Sequence, residues 1–387
     1  MATCQPFFKS KILDSDDPYW PIRQIFIDVF QFKFVKVLIK LILLCNTIII
    51  ILETVILLEV FDAVFFIKYY MSYIGSIFMW LTLYSVLQMA KSVSSGLRDL
   101  RGWKFSSAEK FTGKDIFFEK IFVILHVLLA IFTGITYAIP DESDKNFVLV
   151  LVAIKKFFPT FELVFTILYR LSFLILIITT LAPFHMIIYY CGYTRANFIT
   201  FLKYVENLNY GYDHPDLMNS VYDQKYQRKI TRRLEFCVET HVRLYSINNR
   251  MLGDLRHYIF LYSVIGALLA IGIVVYGVSS PGNYLCLLCM SFSFVLMFVH
   301  IIWVGQVTEA STSQMFETLK QTVWYYWNDK NKKIFLMLLL NSEKAFKIQF
   351  TQNVSINYEL GLSIVKSIYS TIMVLARLQN NYSGEGN

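Results

Sequence analysis

The placement of lysines and arginines relative to the long apolar runs constrains this chain more than any other feature. Seven hydrophobic stretches reach or approach the length of about 20 residues that a helix needs to cross a bilayer. They fall at 41–60, 66–90, 118–139, 163–191, 257–279, 283–304 and 353–379. With residues 1–40 cytoplasmic, the segments between spans alternate inside and outside. The inside segments then hold 28 of the 36 Lys and Arg, and the outside segments hold only Lys145, Lys155 and Lys156. The remaining five lie within or at the ends of spans. The positive-inside rule converts this asymmetry into an orientation. The N-terminus is expected inside, and an odd number of spans puts the C-terminus outside. G-protein-coupled receptors have seven spans in the opposite sense, so that class is excluded.

Composition sets the medium. A chain of 387 residues with mean hydropathy +0.50 and 56% hydrophobic content reads as a polytopic membrane protein. The net charge of +8 sits on the cytoplasmic side. No basic run stands on a soluble domain beside stacking aromatics, so nucleic acid is not an expected partner; membrane lipid is. The six cysteines form no disulfide framework, and Cys286 and Cys289 lack the second ligand pair that a zinc site needs. The first 30 residues contain no apolar signal core, so the first span is expected to act as the anchor.

Between spans four and five, apolar residues recur at helical spacing: Ile230, Leu234, Val238, Val242 and Tyr245. This predicts a cytoplasmic helix running directly into span five. The segment 306–350 reads as a continuation of span six, then a short helix buried against protein. Together they predict a cytoplasmic helical bundle suited to subunit assembly. Residues 15–40 read as a turn and an amphipathic approach to the membrane, with Trp20 and Pro21 near the interface. No internal repeat of the kind common in transporters is visible.

No catalytic constellation emerges, and neither an enzyme, a metal site nor a cofactor is expected. The six histidines are scattered, and His126 reads as a core residue deep in a span. Glu53 is the sole acid well inside a span; it marks an ion or proton path, or else snorkels to the outer interface. In the last span Ser363, Ser367, Ser370, Val374 and Arg377 share one helical face, opposite Ile364, Ile368, Ile372, Leu375 and Leu378. Such a hydroxyl ladder serves either close helix packing or the lining of an aqueous pore built from several subunits.

At this point the chain resembles the insect odorant receptors, a family of seven-span ligand-gated cation channel subunits. The run GQVTEASTSQMFETLKQTVWYYWNDKNKKIFLMLLLNSEKAFKI resembles that family's passage from the sixth helix into the cytoplasmic start of the seventh. The closing IVKSIYSTIMVLARLQ resembles its final helix. The resemblance implies an all-α polytopic membrane protein with seven transmembrane helices, N-terminus cytoplasmic and C-terminus extracellular, plus a cytoplasmic anchor bundle. Residues 1–304 would carry helices one to six and the ligand pocket; residues 305–387 would carry the anchor and the pore helix. It implies a hetero-tetramer with the shared odorant co-receptor in the plasma membrane of sensory neurons. The four final helices would line the pore, with Val374 at the gate position. Arg377 falls where the co-receptor has a neutral polar residue, and the 192–256 loop is shorter than the co-receptor's, which suits a tuning subunit.

By position in the outer half, Tyr69, Tyr73, Gly134, Tyr137, Leu168, Tyr169, Ser172 and Tyr276 are the candidate ligand contacts. With few polar handles there, a small uncharged volatile is the expected ligand, held by shape and dispersion. A gustatory-type channel of the same superfamily is the nearer rival, but Leu375 stands where its final helix carries Gln. A secondary transporter is the more distant one.

Overall fold

The computed structural model describes residues 19–101, 113–140, 144, 147–209, 221–279, 284–349, 351 and 354–384. Among them the chain is helical apart from one isolated bridge, Gln349 to Ser355. The helices are α1 (Trp20–Arg23), α2 (Lys33–Val60), α3 (Ala63–Arg101), α4 (Gly113–Ala138), α5 (Leu149–Phe157), α6 (Glu162–Glu206), α7 (Gln224–Ser279), α8 (Tyr284–Lys320), α9 (Asp329–Ser342) and α10 (Tyr358–Gly384).

Six of these, α2, α3, α4, α6, α7 and α8, are long and apolar enough to cross a membrane. They occupy the first six expected spans. The seventh expected span is also a long helix, α10, of 27 residues. The described apolar helices make this a membrane protein, and inside and outside below follow the charge asymmetry.

Helix length carries the chain beyond the bilayer. α6 has 45 residues and α7 has 56, where about 20 suffice to span. Their inner ends, with those of α3 and α8, form a cytoplasmic bundle whose core continues the membrane core. Phe198, Phe201 and Val205 of α6 are buried there with Ile230, Leu234 and Cys237 of α7. α9 closes the bundle. Asn328 caps it by accepting from Asn331 N at 2.9 Å. The buried Asn331 donates to Gln227 O (3.0 Å) and Gln227 Oε1 (2.8 Å), and accepts from Thr231 at 2.7 Å. Trp327 is fully buried, its indole N–H shared between Asn209 and Tyr226. Only one side of α9 is covered: Phe335 and Leu338 are buried, while Leu336, Met337 and Leu340 are exposed.

Two features differ from the sequence expectation. Residues 19–31 do not merely approach the membrane surface. A π turn (Gln24–Asp28) and a 3-10 turn (Val29–Gln31) follow α1 and bury Ile22, Phe26, Ile27 and Phe30 against the bundle. Their irregular winding breaks the 3.6-residue pattern that a surface helix would show. The second difference is that His126 is not alone. His185 and His300 are also buried in the spans, on α6 and α8, with ring centroids 5.4 and 6.3 Å from that of His126.

The last helix is joined to the bundle through a close backbone approach. Ile356 N donates to Ile348 O at 2.8 Å, which sets these two residues side by side. A Cβ added to Gly305 of α8 would stand 2.2 Å from Ile356 O, so only glycine admits this contact. Residue 304, the boundary expected between the two halves, therefore lies mid-way along the unbroken helix α8.

Candidate functional site

The outer ends of α2, α3, α4 and α6 converge, with α5 laid across them, on a group of aromatic side chains. Ile56, Tyr69, Leu149 and Ala153 are buried together, with Leu52, Tyr73, Val152 and Phe157 packed around them. α5 is seated by Leu149 N donating to Ser72 Oγ at 3.0 Å. The Tyr73 hydroxyl lies 3.1 Å from the Thr54 hydroxyl, which ties α3 to α2. Across the bundle Tyr137 lies against Phe173 at 4.2 Å and meets Tyr169 edge-on at 6.4 Å. Glu53 links the two sides: it is fully buried and acts on both Ser76 and Tyr169.

Arg170 fixes the outer rim. Its guanidinium leaves α6 and donates to the carbonyls of Tyr137 (3.0 Å) and Ile139 (3.3 Å) at the end of α4, and to Asp144 at 2.7 Å. A cation there satisfies carbonyls that the helix end leaves open. The charge of Arg170, which lies within α6, is thus spent on joining α4 to α6.

The structure distributes the sequence candidates unevenly. Tyr69 is buried in the first aromatic group, and Tyr73, Tyr137 and Tyr169 are half-buried. Ser172 is also half-buried, its hydroxyl turned back onto Tyr169 O at 2.7 Å. Gly134 sits at a tight helix contact: an added Cβ would stand 2.9 Å from Leu174. Leu168 faces outward, 55% exposed. The side chain of Tyr276, on α7, lies outside the described residues. Sequence reasoning missed Thr54, Phe173 and the Arg170–Asp144 tie. Glu53 was visible as the lone acid, but snorkelling requires exposure and it has none.

A groove of about 550 Å³ opens at the cytoplasmic end of α3 against α7, lined by Asp99, Glu239, Val242, Arg243, Ser246 and Ile247. Its charged lining lacks the apolar enclosure that a volatile ligand needs. The outer aromatic group remains the better site.

The serine face of α10 turns away from its own subunit. Ser363, Ser367, Ser370 and Val374 are exposed, whereas Gly361 packs on Ile302 of α8. Ser367 donates to Ser363 O at 3.0 Å, so part of the ladder satisfies itself along the helix. Arg377 lies on the same helix, with its side chain outside the described residues.

No family model and no curated protein matches the sequence. Solved structures do match the architecture. The insect olfactory receptor OR5 from Machilis hrabei, in complex with eugenol, superposes with TM-score 0.67 at 12% identity. The match covers 94% of this chain and 100% of that one. Another structure of the same receptor gives TM-score 0.58 at 11% identity, covering 89% and 90%. The fold is that of the insect olfactory receptors. In this fold the outer aromatic residues, between 69 and 173, and the outward serine face, between 363 and 374, lie on one chain. Both α7 and α8 pack on α10, and they pack in turn on α3, α4 and α6.

Proposed function

We propose that the chain is an odorant receptor subunit. With a co-receptor it forms an odorant-gated, non-selective cation channel in the plasma membrane of sensory neurons, and it binds small volatile organic molecules. The observation that carries the reading is the pair of aromatic groups, Tyr69 with Tyr73 and Tyr137 with Tyr169 and Phe173, in the outer half of an olfactory-receptor fold. Eugenol, named for the OR5 complex, is a small aromatic, and rings of this kind offer it the same dispersion contacts. The outward serine face of α10 supports a pore built from several copies, because one helix cannot enclose an aqueous path. A transporter reading finds less support: the described spans run as unbroken helices, without the interruptions that form transporter sites.

The test is patch-clamp recording of cells expressing this chain with and without a co-receptor, against a panel of volatiles. Odorant-evoked cation current that requires both chains is expected. A receptor that reaches the surface, passes current to a co-receptor agonist and answers no volatile refutes the proposal.

A further inference from the structure

The feature that an olfactory role leaves unexplained is Glu53. Its residue surface is 0% exposed, Ser76 of α3 is its one hydrogen-bonding neighbour, and no protein cation pairs with it among the described residues. It stands beside Thr54, which holds Tyr73, and it acts on Ser76 of α3 and Tyr169 of α6. Those neighbours put the carboxyl where α2 meets α3 and α6, beside the tyrosines of the outer half. A carboxyl sealed with only a serine hydroxyl beside it is costly in either state: ionised it lacks hydration and a counter-charge, and neutral it leaves polar atoms under-satisfied. An acid inside a span that packing does not use marks a functional site.

The missing partner is a cation, and the neighbouring protein cations are committed elsewhere. Arg170 is held by Asp144 and by two carbonyls. Lys156 pairs with Glu59. Lys68 lies over the rings of Tyr69 and Phe147, at 5.4 and 6.0 Å. A positive charge for Glu53 must then form on a ligand.

We propose that Glu53 anchors a site for small volatile amines within the outer aromatic group, a reading that rests on the odorant-receptor function above. A primary amine that enters as the free base takes the proton of the carboxyl. The O–H bond breaks, an N–H bond forms, and carboxylate and ammonium remain as an ion pair. The site gains no net charge, so the pair forms without importing an uncompensated ion into low dielectric. The ring of Tyr169 adds a cation–π attraction to the ammonium, and Ser76 accepts one of its N–H groups. Leu52, Ile56 and Tyr69 receive the hydrocarbon part. An alcohol of the same shape meets the same walls but brings no charge, so the site discriminates amine from alcohol through Glu53 alone.

The experiment uses the full chain co-expressed with its co-receptor. Pentylamine, cyclohexylamine and benzylamine are compared with pentanol, cyclohexanol and benzyl alcohol on wild type and on Glu53→Gln. The amines are expected to gate wild type, or to shift the dose–response of an activating alcohol. Glu53→Gln should raise the effective amine concentration by about tenfold or more, while the alcohol curves move by less than about twofold. If Glu53→Gln fails to reach the surface, Glu53→Asp, which keeps the charge but withdraws it, should weaken the amines selectively. Amines without effect on a wild type that answers neutral volatiles would overturn this inference and leave the receptor function standing. Equal shifts in both series would also overturn it, since Glu53 would then be structural. Silence to every volatile, with an intact co-receptor agonist current, would instead remove the receptor function itself.

Discussion

Replacing Gly305 with Ala puts a methyl group where the structure has a backbone oxygen. The new carbon would stand 2.2 Å from Ile356 O, 2.9 Å from Ile356 Cγ2 and 3.0 Å from Ile356 C. Non-bonded heavy atoms settle at about 3.5 Å or more, so the chain at 356 must retreat by about 1 Å. Two bonds restrain that retreat: Ile356 N to Ile348 O at 2.8 Å and Tyr358 N to Gln306 Oε1 at 3.2 Å. Overpacking costs about 1–3 kcal/mol. Loss of one of the two bonds adds about 1 kcal/mol. The total, about 2–4 kcal/mol, is large against the marginal stability of a folded chain. Thermal melting of the detergent-solubilised complex, followed by size-exclusion fluorescence, should show a lower midpoint for Gly305→Ala. Because the strain falls where α10 leaves the bundle, current without odorant should change too. A variant with wild-type melting and wild-type basal current would refute the argument, showing that residues 348–356 yield freely.

Other changes test other parts. Removing Arg170 as Arg170→Gln leaves Asp144 without its cation in a site where the two side chains are only 7% and 14% exposed, and should cost about 3–5 kcal/mol. Adding Asp144→Asn should recover part of that loss in the same melting assay; additive losses would mean the pair is not coupled. Tyr73→Ala and Tyr137→Ala should shift odorant dose–response curves while co-receptor agonist currents stay intact. If neither these nor Tyr169→Ala moves any curve, the ligand site lies elsewhere. Val374→Ser should raise current without odorant, and Arg377→Gln should raise inward cation conductance most clearly at low ionic strength, where a fixed positive charge is least screened. Unchanged conductance and basal current after both would mean that this face of α10 packs against protein.

The spans were legible because lipid demands long apolar helices, and the signal of each is local and strong. The cytoplasmic extension of α7 was legible for a similar reason, since Ile230 and Leu234 recur at helical spacing and are buried. Pairings across helices were not. Nothing in one sequence connects His126 with His185 and His300, or Arg170 with Asp144, because each pair is set by packing rather than by spacing. The serine ladder illustrates the division. Its periodicity gave a shared face, but only the structure turns that face away from its own subunit. Leu168 shows the converse, since position in the outer half says nothing of which side of α6 a residue takes. The irregular turns at 24–31 hid a buried segment behind a pattern that fits neither helix nor strand.

The length of α7 has a mechanical consequence. Its 56 residues make a rod of about 84 Å, nearly three times the hydrocarbon thickness of about 30 Å. The rod has no joint at either membrane surface. It passes from the outer half of the bundle, through lipid, to the Gln227 and Thr231 contacts that hold α9. A push at the outer end therefore does not have to unfold, order or recruit anything. It acts as leverage about a fulcrum in the membrane, and the stroke is delivered among the subunit's own cytoplasmic contacts.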